Sequence, residues 1–312
     1  MHSSFRRSVF FATRSPKHIA CGISPSMQKN ENNRGRLSIT VHPQHIQTVH
    51  HWLEQTFSIS PVETRHPPSP IVQLDTYFET LLHAQIAQKI LPATLPLLHA
   101  EATELPAEAW TTFWQHHFQI EEIGRQLRIV PYWEKPPDNQ RKNLIINPGL
   151  SFGTGGHFTT RFCLEQLEIA LQQKQPQSLL DAGSGSGILS IAAHKLGIKQ
   201  IHAFDLDPIA TEQAQANASI NQISLTFQTA DLLNDDLHLP QADLLCANML
   251  TGVLLQAAPK LTQATKQRLI LSGIREIEAD AVADSFIQYG VQEISRDGNG
   301  EWCGIVLDKN LE

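Results

Sequence analysis

The sequence of 312 residues contains little cysteine, and none of it is spaced for metal binding. Its four cysteines, which are far apart and form no Cys-x-x-Cys pair, are Cys21, Cys163, Cys246 and Cys303. Structural zinc sites use closely spaced cysteine or histidine pairs, and disulfide frameworks concentrate many cysteines in a short chain. We therefore predict neither a metal site nor a disulfide framework, and a reducing cytosol is the simplest interpretation.

The chain also lacks long apolar runs, excess positive charge and internal repeats. A membrane helix needs about 20 consecutive apolar residues, and no stretch approaches that length. The net charge of −7 argues against a protein that coats nucleic acid, and it suits a basic protein partner. We expect a cytoplasmic monomer with no membrane partner and no direct nucleic-acid partner.

Residues 1–36 differ in composition from the rest of the chain. They hold seven arginine or lysine residues, several serines and only one acid, Glu31. A transit peptide, an over-extended start and a disordered tail all share this composition. Nothing else in the sequence points to an organelle, so we interpret residues 1–36 as a disordered tail or a misassigned start.

The next segment, residues 37–134, mixes the periodicities of strands and helices. Alternating apolar residues predict strands at residues 37–41 and 125–130, and helical spacing predicts helices at residues 45–57, 79–89 and 106–118. The proline-rich residues 61–70 indicate a loop. This mixture predicts a small α+β domain, followed by a polar, proline-bearing linker at residues 135–146.

In residues 147–312 short apolar strands alternate with helices. We predict strands at residues 178–181, 200–204, 225–229, 242–247 and 268–271, with helices at residues 188–196 and 208–221. This alternation is typical of an α/β fold with a doubly wound parallel sheet. Two last strands, at residues 291–296 and 301–307, flank a hairpin turn. The pattern predicts a Rossmann-like sheet, mostly parallel with an antiparallel C-terminal hairpin, the usual ending of methyltransferase folds.

A glycine-rich turn follows the first strand of this sheet, in Leu179-Leu180-Asp181-Ala182-Gly183-Ser184-Gly185-Ser186-Gly187. Dinucleotide sites space their glycines G-x-G-x-x-G around a pyrophosphate, whereas here the spacing is G-x-G-x-G after an acid. S-adenosylmethionine has no phosphate but has a cationic amino-acid end, which the Asp181 carboxylate suits. We predict that Gly183 and Gly185 let this cofactor approach the backbone closely. A tight turn of another α/β enzyme is the alternative.

Acidic residues follow the next two strands. Asp205 lies 22 residues after Gly183 and is placed to accept hydrogen bonds from both ribose hydroxyls. Asp207 precedes Pro208 and is better interpreted as a helix N-cap. Asp231 either accepts a hydrogen bond from the adenine amino group or caps a helix, and the two interpretations have equal weight.

Asn248 ends the fourth strand, which is the usual place for the group that meets the methyl acceptor. Methyltransferases that act on amide or base nitrogens often carry prolines and an aromatic residue there, and Ala247-Asn248-Met249-Leu250 has neither. An aliphatic amine is therefore the expected acceptor, and we predict that Asn248 orients it as the catalytic residue. The alternative is that Asn248 only caps the following helix.

A second glycine-rich segment precedes the sheet, in Asn147-Pro148-Gly149-Leu150-Ser151-Phe152-Gly153-Thr154-Gly155-Gly156-His157-Phe158-Thr159-Thr160. Backbone N–H groups of such a segment can wrap a ligand, so we predict cofactor contacts at Thr154 and Gly155. Thr159 and Thr160 open a helix, where one can cap and the other can contact the ligand. His157 has no metal-ligand spacing around it, and a structural role is the commoner one for a lone histidine.

Together these motifs resemble the family of bacterial methyltransferases that modify ribosomal protein eleven of the large subunit. The resemblance covers most of the chain and is carried by residues 147–160, 181–188, 205–208, 247–250, 271–274 and 301–302, and upstream by Trp110, Trp114, residues 117–118, Gly124, Leu127, residues 129–131 and Trp133. The chain departs from the family pattern at Asn147, Gly156, Ser184 and Met249.

The resemblance implies S-adenosylmethionine as cofactor, with contacts at Thr160, Gly183, Asp205 and Asn248. It also implies a ferredoxin-like substrate-recognition domain at residues 37–134 and a catalytic domain at residues 147–312. The implied reaction is N-methylation of lysine side chains and of an α-amino group of that ribosomal protein.

Three other interpretations are weaker. A lysine methyltransferase of a related branch, acting on a non-ribosomal protein, would use the same cofactor residues. A catalytically silent binding protein would not need all four contact residues together. An NAD-dependent oxidoreductase is disfavoured by the glycine spacing and by the lack of a recognisable catalytic Tyr/Lys or His/Asp set.

Overall fold

The computed structural model describes residues 34–57, 61–65, 70–78, 80–106, 118–138, 140–147 and 156–309. The chain divides into two compact units, Met1–Ala107 and Glu108–Glu312. Within the described ranges no helix is long and apolar enough to cross a membrane.

The first unit is a four-stranded antiparallel sheet with two helices. Its elements are β1 (Arg34–Val41), α1 (Ile46–Phe57), β2 (Val62–Arg65), β3 (Val72–Phe78), α2 (Leu81–Lys89) and β4 (His99–Leu105). The strand order is β2-β3-β1-β4, and every pairing is antiparallel. Two β-α-β halves joined in this order form a ferredoxin-like fold, so the expected smaller α+β domain is confirmed.

The core of the first unit follows from alternation along β1. Leu37, Ile39 and Val41 are fully buried and pack with apolar residues of both helices. Gly35 lies where α2 begins, and a Cβ atom there would overlap the backbone oxygen of Thr80. Alternation fixes which face of β1 is apolar, and the glycine lets the helix approach it.

Two expectations about this part of the chain need correction, and a third is not tested. Residues 61–70 were expected to form a loop, but β2 (Val62–Arg65) pairs with β3. The extension expected at residues 1–36 overlaps β1, which begins at Arg34. The helix expected at residues 106–118 lies almost wholly outside the described residues.

The second unit contains a seven-stranded sheet and a smaller three-stranded one. Its elements are β5 (Glu121–Ile123), β6 (Leu127–Pro131), β7 (Lys142–Ile146), α3 (Phe158–Lys174), β8 (Ser178–Ala182), α4 (Ile188–Leu196), β9 (Gln200–Asp205), α5 (Pro208–Ile220), β10 (Phe227–Thr229), β11 (Ala242–Asn248), α6 (Thr251–Ala264), β12 (Thr265–Arg275), α7 (Ala279–Ile287), β13 (Val291–Gly298) and β14 (Trp302–Lys309).

The large sheet has the order β10-β9-β8-β11-β12-β14-β13. Strands β8 to β12 pair in parallel, whereas β14 is antiparallel to both β12 and β13. The expected Rossmann-like sheet with an antiparallel C-terminal hairpin is therefore confirmed. Because parallel strands end at one edge, the carboxyl ends of β8, β9, β11 and β12 lie together, where α/β folds bind their ligands.

The boundary between the units differs from the expected one at residue 134. Strands β5, β6 and β7 form the small sheet of the second unit, and β7 occupies the last five residues of the segment expected to be a linker. The side chain of Asn221 exchanges hydrogen bonds with the backbone of Ile145, at 3.0 and 2.6 Å, which ties β7 to the end of α5. The prolines at 136–137 therefore mark a connection between two strands rather than between domains.

Helix α3 also contacts the small sheet, at the turn between β5 and β6. The buried carboxylate of Glu168 accepts hydrogen bonds from the backbone N–H groups of Arg125 and Gln126, at 3.0 to 3.1 Å. These donors lie in the turn between β5 and β6, where Gly124 adopts a φ of 51°. The turn is thus fixed by a charged acceptor that lies more than forty residues further along the chain.

Candidate functional site

The glycine-rich turn between β8 and α4 is a rigid backbone bend. Gly183, Gly185 and Gly187 have φ values of 74°, 52° and 79°, a region that residues with a Cβ rarely adopt. The N–H groups of Gly183 and Ser184 both donate to the backbone oxygen of Phe204, at 2.9 Å. The turn therefore presents bare backbone at the carboxyl edge of the sheet.

Asp205, at the end of β9, lies beside this turn. Its Oδ2 accepts a hydrogen bond from the N–H of Gly185 at 2.8 Å, and its Oδ1 accepts one from the N–H of Asp207 at 2.9 Å. Each carboxylate oxygen has a second lone pair, so both can accept a further hydrogen bond. The backbone holds this carboxylate in one orientation, as a pair of hydroxyl groups on a ligand requires.

Asp181 has a different environment, because its side chain is 1% exposed. Its Oδ2 accepts hydrogen bonds from the backbone N–H of Ser190 at 3.1 Å and from the Ser190 hydroxyl at 2.6 Å. Burial raises the pKa of Asp181 to about 6, although the hydrogen bonds from Ser190 act to lower it. This carboxylate holds the first turn of α4, and its contact with a cationic ligand stays a prediction.

Asn248, at the end of β11, faces the first turn of α3. Its Nδ2 donates to the hydroxyl oxygen of Thr160, a buried residue, at 3.4 Å. The following helix α6 begins at Thr251, and its N-cap is Leu250. The alternative that Asn248 caps this helix is therefore wrong, and the structure brings together two residues that were expected to contact one ligand.

His157 caps α3, which corrects the expectation that Thr159 or Thr160 does so. Its Nδ1 accepts a hydrogen bond from the N–H of Thr159 at 3.4 Å and lies 2.8 Å from the Thr159 hydroxyl oxygen. Its ring also packs edge-on against Trp302, with 5.3 Å between ring centroids. Histidine is not a preferred N-cap residue, so this role could not be predicted from the local pattern.

Asp207 and Asp231 are the remaining acidic residues of the expected site, and only one of them caps a helix. Asp207 caps α5, since its Oδ1 accepts from the N–H of Ile209 at 3.0 Å, as predicted. Asp231 accepts from the N–H of Leu233 at 2.9 Å within a turn that does not lead into a helix. Its helix-cap interpretation is wrong, and its contact with adenine stays a prediction.

Thr154 and Gly155, which were expected to contact the cofactor, lie outside the described residues. Among the residues that the structure does describe, no group of three or more His, Cys, Asp or Glu side chains could hold a metal ion. Gly273, with a φ of 78°, was not expected at the site, although a Cβ there would lie 2.5 Å from the backbone oxygen of Met249. It lets β12 approach the segment that carries Asn248.

Several buried polar atoms at this edge have no hydrogen-bond partner within the described part of the chain: Asp181 Oδ1, Ser184 Oγ, Asn248 Oδ1 and Thr251 Oγ1. An unsatisfied buried polar group costs about 1–3 kcal/mol, so such groups usually mark a place for water or a ligand. Two of these atoms are carbonyl-type acceptors, and two are hydroxyl oxygens that can also donate. A ligand with ammonium and hydroxyl groups fits this set.

Comparisons with known proteins agree with this architecture. A family model described as Ribosomal protein L11 methyltransferase (PrmA) matches residues 26–310. A protein of that name from Legionella pneumophila (strain Lens) is 36% identical over 225 residues, which cover 70% of this chain and 75% of the relative. Another, from Pseudomonas paraeruginosa, is 38% identical over 235 residues, covering 75% of this chain and 78% of the relative.

A solved structure of similar fold is the ribosomal protein L11 methylase from Lactobacillus delbrueckii subsp. bulgaricus. It is 32% identical, has a TM-score of 0.56, and its match covers 62% of this chain and 100% of that one. The relatives agree with the resemblance found in the motifs. This chain belongs to the ribosomal protein L11 methyltransferase family.

Proposed function

We propose that this protein transfers methyl groups from S-adenosylmethionine to amino nitrogens of ribosomal protein L11. The observation that carries the proposal is the buried, unpartnered Oδ1 of Asn248, beside a glycine-rich turn, in a chain of this family. An amide oxygen in that position can accept a hydrogen bond from an amine but cannot take its proton. The site is thus built to orient an amine rather than to serve as a strong base.

The cofactor is held by residues at the carboxyl edge of the large sheet. The two oxygens of Asp205, which the backbone already orients, would accept hydrogen bonds from the ribose hydroxyls. Gly183 and Gly185 have no side chains, so the cofactor could approach the backbone there. Thr160 and Asn248 would contact the cofactor. The buried Asp181 carboxylate would complement its cationic end. Asp231 would accept a hydrogen bond from the adenine amino group, and Thr154 and Gly155 would add further cofactor contacts. When bound, S-adenosylmethionine supplies a methyl group that its sulfonium already activates.

The work of the protein is then to present a neutral amine in line with that methyl group. A lysine ammonium has an ordinary pKa of about 10.4, and both a nearby cation and desolvation lower it. The ammonium proton leaves to water first, and the neutral nitrogen would then bond to the methyl carbon as the sulfur–carbon bond breaks and a neutral thioether leaves. Asn248 Oδ1 accepts a hydrogen bond from the amine and so directs its lone pair, which is a positioning effect. We assign no general base.

The first unit is the substrate-recognition domain in this proposal. On α2 the small residues Ala84 and Ala87 are buried, whereas Leu82, Ile86 and Ile90 are 38–47% exposed. A spacing of four residues places these three on one face of the helix, which we call the α2 stripe. A row of large exposed apolar side chains supports a protein-binding surface.

Intact-mass spectrometry tests the proposal directly. Unmethylated ribosomal protein L11 is incubated with the enzyme and S-adenosylmethionine, and the expected result is mass gain in steps of one methyl group. No gain, with cofactor binding demonstrated by calorimetry, would move the substrate to a non-ribosomal protein of the related branch. The proposal also places the enzyme in the cytoplasm, where its substrate is made, as a monomer that sedimentation can verify.

A further inference from the structure

The first turn of α3 is attached to β14 by two aromatic contacts. The His157 ring packs edge-on against Trp302, which is 6% exposed, with an interplanar angle of 74°. One helical turn later, Phe162 lies over Gly304, where a Cβ atom would overlap the ring. Glycine at this position of β14 therefore lets the helix start lie directly on the strand.

His157 combines this ring contact with the N-cap of the same helix. The N–H of Thr159 donates to Nδ1, so that nitrogen presents a lone pair to the backbone. The ring plane is thus set by Trp302 on one side and by the backbone of Thr159 on the other. Both contacts constrain the position of the next residue along the chain, Thr160.

Thr160 faces the donor side of the Asn248 amide. Its hydroxyl oxygen accepts from Nδ2 at 3.4 Å, which leaves Oδ1 as the buried atom without a partner. A rotation of this amide by half a turn would present a donor to the acceptor amine instead of an acceptor. The orientation of Asn248 therefore depends on where the first turn of α3 lies.

We propose that His157 is a positioning residue for methyl transfer, which acts through Thr160 on the Asn248 amide. This inference rests on the proposed function, because it concerns how the same site is held. His157 itself need not touch the cofactor or the amine. Two of its contacts, the cap and the ring, are separable by substitution.

Two variants separate the cap contact of His157 from its ring contact. His157→Phe keeps a ring against Trp302 but removes the acceptor for the Thr159 N–H, whereas His157→Asn keeps a good cap acceptor without the ring. We expect His157→Phe to lower kcat for ribosomal protein L11 about tenfold or more, because small displacements of an orienting group are costly, and KM to stay within about twofold. His157→Asn is expected to restore part of the lost kcat.

Asp243→Ala is the matched control for stability. Its carboxylate accepts from the N–H groups of Gln177 and Ser178, at 2.7 and 3.1 Å, at the opposite edge of the sheet. This variant loses backbone hydrogen bonds in the same unit but leaves the carboxyl edge intact, so we expect it to unfold more easily and to keep its kcat. If kcat of Asp243→Ala falls as far as kcat of His157→Phe, loss of stability alone would explain both decreases. That result would overturn the inference.

A double-mutant cycle with Asn248→Ala gives the decisive measurement. If His157 acts through Asn248, His157→Phe changes kcat by less than about twofold in the Asn248→Ala background. Multiplicative losses would overturn the inference, and so would an unchanged kcat in His157→Phe alone. The proposed function fails separately, if the wild-type enzyme does not methylate ribosomal protein L11 at all.

Discussion

The amide nitrogen of Asn248 lies 3.4 Å from the hydroxyl oxygen of Thr160, although 88 residues separate them in the sequence. One residue ends a central strand, and the other opens a helix that packs across the sheet. In this arrangement the donor side of the amide faces Thr160, and the acceptor side remains for a ligand. The chemistry proposed for the site depends on that arrangement.

Replacement of Asn248 tests the orientation of the amine. We expect Asn248→Ala to lower kcat about 10- to 100-fold and to change the Kd of S-adenosylmethionine by less than about threefold. The reason is that the glycine turn and Asp205 still hold most of the cofactor. Single-turnover kinetics and calorimetry give the two numbers. A normal kcat in this variant would contradict the role assigned to Asn248.

Asp205 and Asp207 form a matched pair for testing the ribose contact. Asp205→Asn replaces one of two accepting oxygens with a donor, so we expect cofactor affinity to fall about 10- to 100-fold. Asp207→Asn makes the same change in charge two residues away, but asparagine also caps helices well, so affinity should stay near that of the wild type. Calorimetry compares them, and equal losses would point to a general charge effect instead.

The buried carboxyl of Asp181 predicts a pH-dependent stability. Its pKa is about 6 in the folded protein against an ordinary 3.8, so the folded state binds the extra proton between these values. Burial of the charge costs about 3 kcal/mol above pH 6, and the cost disappears as the pH falls below about 4. Asp181→Asn removes this cost, so its free energy of unfolding should exceed that of the wild type mainly above pH 6.

Urea unfolding of both proteins in the absence of cofactor, at several pH values between 4 and 7, measures that difference. The comparison at equal pH cancels the titration of every other group that the two proteins share. A difference that does not change with pH would exclude Asp181 as its source.

The α2 stripe predicts where substrate affinity resides. Leu82→Ser combined with Ile86→Ser should raise the KM for ribosomal protein L11 several-fold, about the effect of removing two modest hot-spot contacts, with kcat and cofactor Kd unchanged. Gln85→Ser, on the same helix and also exposed, is the control. If the double variant and the control have the same KM, the substrate binds elsewhere.

Local patterns predicted the large sheet well because each of its strands and helices is short, regular and bounded by turn residues. The glycine turn and the acids at the strand ends could be placed for the same reason, since the carboxyl ends of parallel strands must share an edge. Asp207 was identified as a cap from its neighbour Pro208, which is also a local signal.

The parts that were wrong depend on contacts between distant segments. Strand β7 could not be assigned to the second unit without knowing that Asn221 binds its backbone. His157 could not be identified as a cap because Trp302, which holds its ring, lies near the other end of the domain sequence. A residue type with a weak intrinsic preference takes such a role only when tertiary packing places it there.

Helix α3 carries Thr160 in its first turn and Glu168 eight residues later, about 12 Å along the axis at the usual rise per residue. A packed helix moves as a stiff rod, so a shift of its first turn must also move the carboxylate that holds the turn before β6. A displacement of this kind would alter the hydrogen bonds that the backbone amides of Arg125 and Gln126 donate to Glu168. The exchange of these amides with solvent deuterium would register cofactor occupancy without any probe in the site itself.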